Sequence, residues 1–137
     1  MGAWGPGPLD NDTALDWQDA LLRAATPADR AVVIRDALAA ATTTGYLDYD
    51  LAAEAIVAAL VVAASMPGGQ ALRSSAGLPE EADGIPVAAG TPALALRALD
   101  RIVADDSEWR ALWSDSPQLY AEALASLREI REPLEAG

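Results

Sequence analysis

Apolar residues recur along this chain at intervals of three and four, and no segment alternates apolar with polar positions as a strand would. That spacing gathers side chains on one face of a 3.6-residue turn and predicts helices throughout. A first helix starts near Asn11 or Asp12, both good N-caps, with Ala14, Trp17, Leu21, Leu22 and Ala25 on one side. Asp12, Asp16, Asp19 and Arg23 fall on the other side, which reads as a solvated face. Thr26-Pro27-Ala28-Asp29 then restarts the chain: Thr26 suits the cap, Pro27 the first helical position, and Asp29 completes a capping-box-like pattern. The second helix runs to about Ala41 and buries Ile34, Ala37, Leu38 and Ala41.

The third helix, capped by Asp48 or Asp50, reads LAAEAIVAALVVAAS and is apolar on every side after Glu54. A helix with no polar face belongs at the centre of a bundle. Residues 66–90 follow, with five glycines, three prolines and the acidic GLPEEADG; they read as a long irregular loop with a short helical turn at 70–75. Thr91 is the expected cap of the next helix, whose buried side is Leu96, Leu99, Ile102 and Val103. A short helix capped by Asp106 or Ser107 turns Trp109 and either Leu112 or Trp113 inward. Ser116-Pro117 opens the last helix, lined by Tyr120, Ala123, Leu124, Leu127 and Ile130, and Pro133 is expected to end it. The expectation is an all-α bundle of five to six helices, forming one domain over residues 1–137 around an alanine-rich centre.

Composition sharpens this picture. The chain has 137 residues, enough for one core, and 32 are alanine, so its helices can approach closely. All nine basic residues are arginine, and Phe is absent, a bias typical of GC-rich bacterial coding. Without His, Cys or Lys, catalytic triads, thiolates, imidazole or zinc–sulfur sites, Schiff bases and P-loop lysines are excluded. Carboxylates, arginines, tyrosines and hydroxyls remain, which points away from an enzyme and requires no cofactor. The net charge of −12 divides evenly: nine acids and three arginines in residues 1–65, twelve and six in 66–137. Nucleic acid and anionic lipid are poor partners for such a surface; a basic protein is a good one. No secretory or membrane-spanning pattern appears, which gives a cytoplasmic expectation.

The opening stretch, MGAWGPGPLDNDTALDW, is the least ordinary part of the chain. It resembles the start of an uncharacterised bacterial domain family whose members open Met-Gly-x-Trp-Gly-x-Gly-x-Phe-Asp/Glu-Asn-Asp-x-Ala-x-Asp. Met1, Gly2, Trp4, Gly5, Gly7, Asp10, Asn11, Asp12, Ala14 and Asp16 fit that pattern, and Leu9 stands in place of the Phe. LAAEAIVAAL and DSEWRALW resemble the family's later motifs in order. The resemblance implies one domain over most of the chain and brings no activity with it. Physically, residues 1–10 read as an anchoring segment: Trp4 lies on the core, glycines allow tight turning, Leu9 acts as a hydrophobic staple, and Asp10, Asn11 and Asp12 satisfy backbone N–H groups. Trp17, Trp109 and Trp113 are the other expected structural anchors.

Asp10, Asn11, Asp12, Asp50, Glu54, Tyr49 and Glu108 are the candidate binding residues, and no metal ligand or catalytic residue is assigned. Glu54 stands out because an acid entering an apolar helix acquires a raised pKa where it is buried. Two readings follow: an acidic, non-enzymatic interaction module of the inhibitor or immunity kind, or a carboxylate-based binder or enzyme using a divalent cation. The second needs three or more of Asp10, Asp12, Asp50, Glu54 and Glu108 in one pocket.

Overall fold

The computed structural model describes residues 5–82 and 84–136. Over them the chain forms α1 (Asp12–Arg23), α2 (Pro27–Thr43), α3 (Tyr49–Ala64), α4 (Gln70–Ala76), α5 (Thr91–Ile102), α6 (Glu108–Trp113) and α7 (Pro117–Ala136). One 3-10 turn spans Glu80–Ala82. The fold is all-α and a single domain, with seven helices among the described residues. The seventh is α4, which makes a full helix of the turn expected inside residues 66–90.

Most helices begin on a side-chain acceptor. Asn11 caps α1 by accepting from the Ala14 N–H at 2.7 Å, and Thr26 caps α2 by accepting from that of Asp29 at 3.1 Å. Asp48 caps α3 through the Leu51 N–H, and Ser107 caps α6 through that of Arg110. Two boundaries differ from expectation. Thr91 is not the cap of α5 but its first residue; Gly90, at φ 87°, takes the cap position with the left-handed backbone that glycine tolerates. Pro133 does not end α7 either, which continues to Ala136. Placed in the last turn, Pro133 removes a single bond to the carbonyl of Glu129, and its burial beside Leu134 offsets that loss.

The core is built on α3, which packs against all six other helices. Every residue from Ala55 to Ala64 is buried, among them Ile56, Val57, Leu60 and Val61. Each fully buried Val, Leu or Ile contributes roughly 1.5–3 kcal/mol. The intervening alanines lose no rotamer freedom on folding and keep neighbouring axes near. Packing is tight at the end of α3: a Cβ on Gly69 would come within 2.1 Å of the Ala63 carbonyl oxygen, so no larger residue fits there. Arg131 of α7 pairs with Asp100 of α5 at 2.8 Å, tying the two helices that flank α3. No helix among the described residues is long and apolar enough to cross a membrane.

The N-terminal segment is placed from Gly5 onward; Met1 and Trp4 lie outside the described residues. Pro6, Gly7 and Pro8 sit over Tyr49, Ile56, Trp109, Trp113 and Leu127. Gly7 donates its N–H to the Asp10 carboxylate at 3.0 Å. A Cβ on Gly5 or Gly7 would approach the same oxygen within 2.7 or 2.6 Å. A side chain at either position would have to displace the Asp10 carboxylate from its bond to the Gly7 N–H. Leu9 and Trp17 pack on the core, and Trp109 and Trp113 are buried in it.

Candidate functional site

Two distant stretches of chain meet at the N-terminal end of α3. Leu47 donates its N–H to the Asp106 carbonyl at 3.0 Å and accepts from the Glu108 N–H at 2.9 Å, an isolated parallel bridge between segments that are otherwise loops. Arg101 reinforces the junction: its guanidinium donates to the Gly45 carbonyl on one side and pairs with Asp106 at 2.8 Å on the other. The fully buried Leu47 and Ser107 side chains seal it from below.

This junction gathers carboxylates. Asp48, Asp50, Glu54 and Glu108 line one open recess together with Tyr49 and Leu51. Three of the four have structural partners. Asp48 accepts from the Leu51 N–H at 2.9 Å, and Glu108 accepts from the Tyr49 N–H at 2.7 Å. Both therefore bind N–H groups at the positive end of α3, where negative charge is favoured. Asp50 accepts from the Thr13 hydroxyl at 2.9 Å and so links α3 to α1. No hydrogen bond or ion pair among the described residues engages Glu54. Burial, and then the charges of Asp50 and Asp48, push its carboxyl above the ordinary value of 4.5. Burial, and then Asp50, likewise raise the Tyr49 phenol.

The recess is electrostatically uncompensated. Among the described residues none of its four acids pairs with an arginine. Arg101 holds Asp106, and Arg110 holds Asp105 at 2.7 Å. Tyr46 stands exposed at the edge of the same turn, with 58% of its surface open. Such a site attracts a cationic group, and the exposed Tyr46 precedes its first acid, Asp48, by two residues in sequence. No cluster of three or more acids among the described residues has the proximity that a metal ion demands.

The sequence candidates divide accordingly. Asp50, Glu54 and Glu108 converge, joined by Asp48, which spacing alone marked only as a cap. Asp10 folds back on Gly7, Asn11 is a buried cap, and exposed Asp12 lies in the first turn of α1; none of these lines the recess. Tyr49 lines the recess but is largely buried, with 4% of the residue exposed, and it opens α3. Tyr46 presents the accessible ring. Trp109 and Tyr120 contact each other in a tilted arrangement, ring centroids 6.5 Å apart, and serve packing.

No curated protein and no solved structure matches the chain. A family model, described as a domain of unknown function (DUF4259), matches residues 2–126, and with nearly the whole chain covered the protein belongs to that family.

Proposed function

We propose that this protein is an acidic, non-enzymatic interaction module, of the inhibitor or immunity kind, that docks a basic segment of another protein on the recess at the start of α3. The observation carrying this reading is the convergence of Asp48, Asp50, Glu54 and Glu108 without an arginine to neutralise them. Exposed Tyr46 supplies the amphipathic aromatic anchor common at interface hot spots. The absence of His, Cys and Lys from the sequence supports a binding role over a catalytic one. We take the opening glycine-rich motif as the family's signature, the source as bacterial, on the composition without Lys or Phe, and the compartment as the cytoplasm, on a sequence that reads without an export pattern.

Titration of the labelled protein with an oligoarginine peptide tests the docking reading by NMR. Amide shifts are expected to concentrate at residues 46–54 and at Glu108. An Asp50→Asn, Glu54→Gln double variant should weaken binding about tenfold at low salt. Shifts spread evenly over the acidic surface, or indifferent to that variant, would refute a specific recess.

A second reading rests on one observation, the raised Glu54 carboxyl beside Asp50. There the recess takes a divalent cation and a small ligand only if its acids draw closer together than they stand in this structure. Calorimetry with Mg²⁺, Ca²⁺ and Mn²⁺ decides it. A stoichiometric micromolar site lost on Glu54→Ala would replace the docking reading, and heats no greater than dilution would remove the cation.

A further inference from the structure

At the other end of α3 the chain leaves a cavity that the acidic recess does not use. It lies between α2, the last turns of α3 and the extended segment leading into α5, and it measures about 140 Å³. Its walls are aliphatic: Ile34, Val61, Val62, Ile85 and Val87. Val32 stands at its edge with 57% of its surface open, an unusual exposure for a branched apolar side chain in this molecule. Arg35 also lines it, exposed to solvent, and engages no carboxylate among the described residues. No acid is among the lining residues.

We propose that this cavity binds a small amphipathic carboxylate, with its apolar body inside and its carboxylate on Arg35 at the mouth. Size sets the body. An apolar cavity of about 150 Å³ stays dry and accepts benzene, so a single ring or a branched chain of similar bulk fits here. Chemistry sets the head group. A guanidinium beside an aliphatic wall recognises a carboxylate by two parallel N–H donors, and Thr91 is in the same lining.

The net charge of −12 does not prevent an anion from binding at this end. Val61 is eleven residues beyond Asp50, about 16 Å along the helix at 1.5 Å per residue. That is about twice the screening length at physiological salt, which is about 8 Å. Asp36, next to Arg35 in sequence, points about 100° away around α2. Arg35 is the one charged side chain among the residues that line the cavity.

Carbon-13 methyl NMR with phenylacetate as probe, and phenylacetamide as its uncharged counterpart, tests the proposal. Saturable shifts are expected at Ile34, Val61, Val62, Ile85 and Val87. Arg35→Gln should weaken phenylacetate about tenfold and leave phenylacetamide unchanged. Ala88→Phe, which adds bulk at an exposed lining position, should abolish both, with a thermal melt confirming that it folds. If it does not fold, the Arg35→Gln comparison decides alone. Absence of saturable shifts overturns the proposal. So does equal binding of acid and amide with no effect of Arg35→Gln, which would leave an apolar cavity without carboxylate recognition. Shifts of the same methyls with protein concentration alone would assign the cavity to a second copy of the chain and also overturn it.

Discussion

Glu54 stands one turn beyond Asp50 in a helix that is apolar from there on, and its raised pKa has a consequence for stability. A carboxyl whose folded pKa exceeds its unfolded one binds protons more tightly when folded. Its favourable contribution is complete below pH 4.5 and is lost as pH rises through the higher folded value. At neutral pH the charged form therefore opposes folding, and Glu54→Gln should raise the melting temperature there. The gain should vanish toward acid and stay well below ~1 kcal/mol, since the group is partly open to water. Melting curves from pH 3 to 8 check this. A variant less stable than the parent at neutral pH would mean that the charged carboxylate gains a favourable interaction within the fold. Asp48 and Glu108 behave differently, because both accept N–H groups at the start of α3. Replacing Glu108 with Ala removes a helix-end acceptor and should cost about 1 kcal/mol, measurable by urea unfolding.

Helix starts were the most legible features of the sequence, because a cap is a local arrangement of one side chain and one N–H three residues on. Asn11, Thr26, Asp48 and Ser107 all lie where spacing placed a cap. The central position of α3 was equally legible, since LAAEAIVAALVVAA offers no polar face to water. Other boundaries depended on tertiary packing. Thr91 is buried, so its hydroxyl yields the cap to Gly90, and Pro133 remains helical because its ring and Leu134 pack inward. The recess was only half legible. Asp50 and Glu54 share a helix face by spacing, but Glu108 joins them through the Leu47–Ser107 bridge and the Arg101 clamp, which no local pattern encodes. In the N-terminal segment, Gly5 and Gly7 leave room for the Asp10 carboxylate to fold back onto the Gly7 N–H. Deleting residues 1–8 uncovers Ile56, Trp109 and Trp113 and should lower the melting temperature by several degrees. An unchanged melt would show that the segment lies on the core without holding it.

On the scale of the whole molecule, charge and shape give α3 two unlike ends. Acids outnumber arginines 21 to 9, and the exposed helix faces spread them widely. Net charge alone therefore yields solubility and a long-range pull on any basic protein, without a specific address. In the docking proposal the address comes from arginine placement: Arg101 and Arg110 pair with Asp106 and Asp105, while the four acids of the recess have no arginine partner among the described residues. These two contributions respond differently to salt. Screening weakens the diffuse attraction as the Debye length falls, whereas contacts closed inside the recess are shielded less. Association with a basic partner or an oligoarginine probe should thus slow by about tenfold or more between low and physiological salt. The dissociation rate should change far less, because rim charges govern encounter and close contacts govern escape. Stopped-flow or surface-binding kinetics at several salt concentrations separate the two. A dissociation rate that rises as steeply as the association rate falls would mean that only diffuse charge holds the complex. In that event Asp50→Asn should act no differently from neutralising any exposed acid elsewhere, such as Asp12 or Asp16.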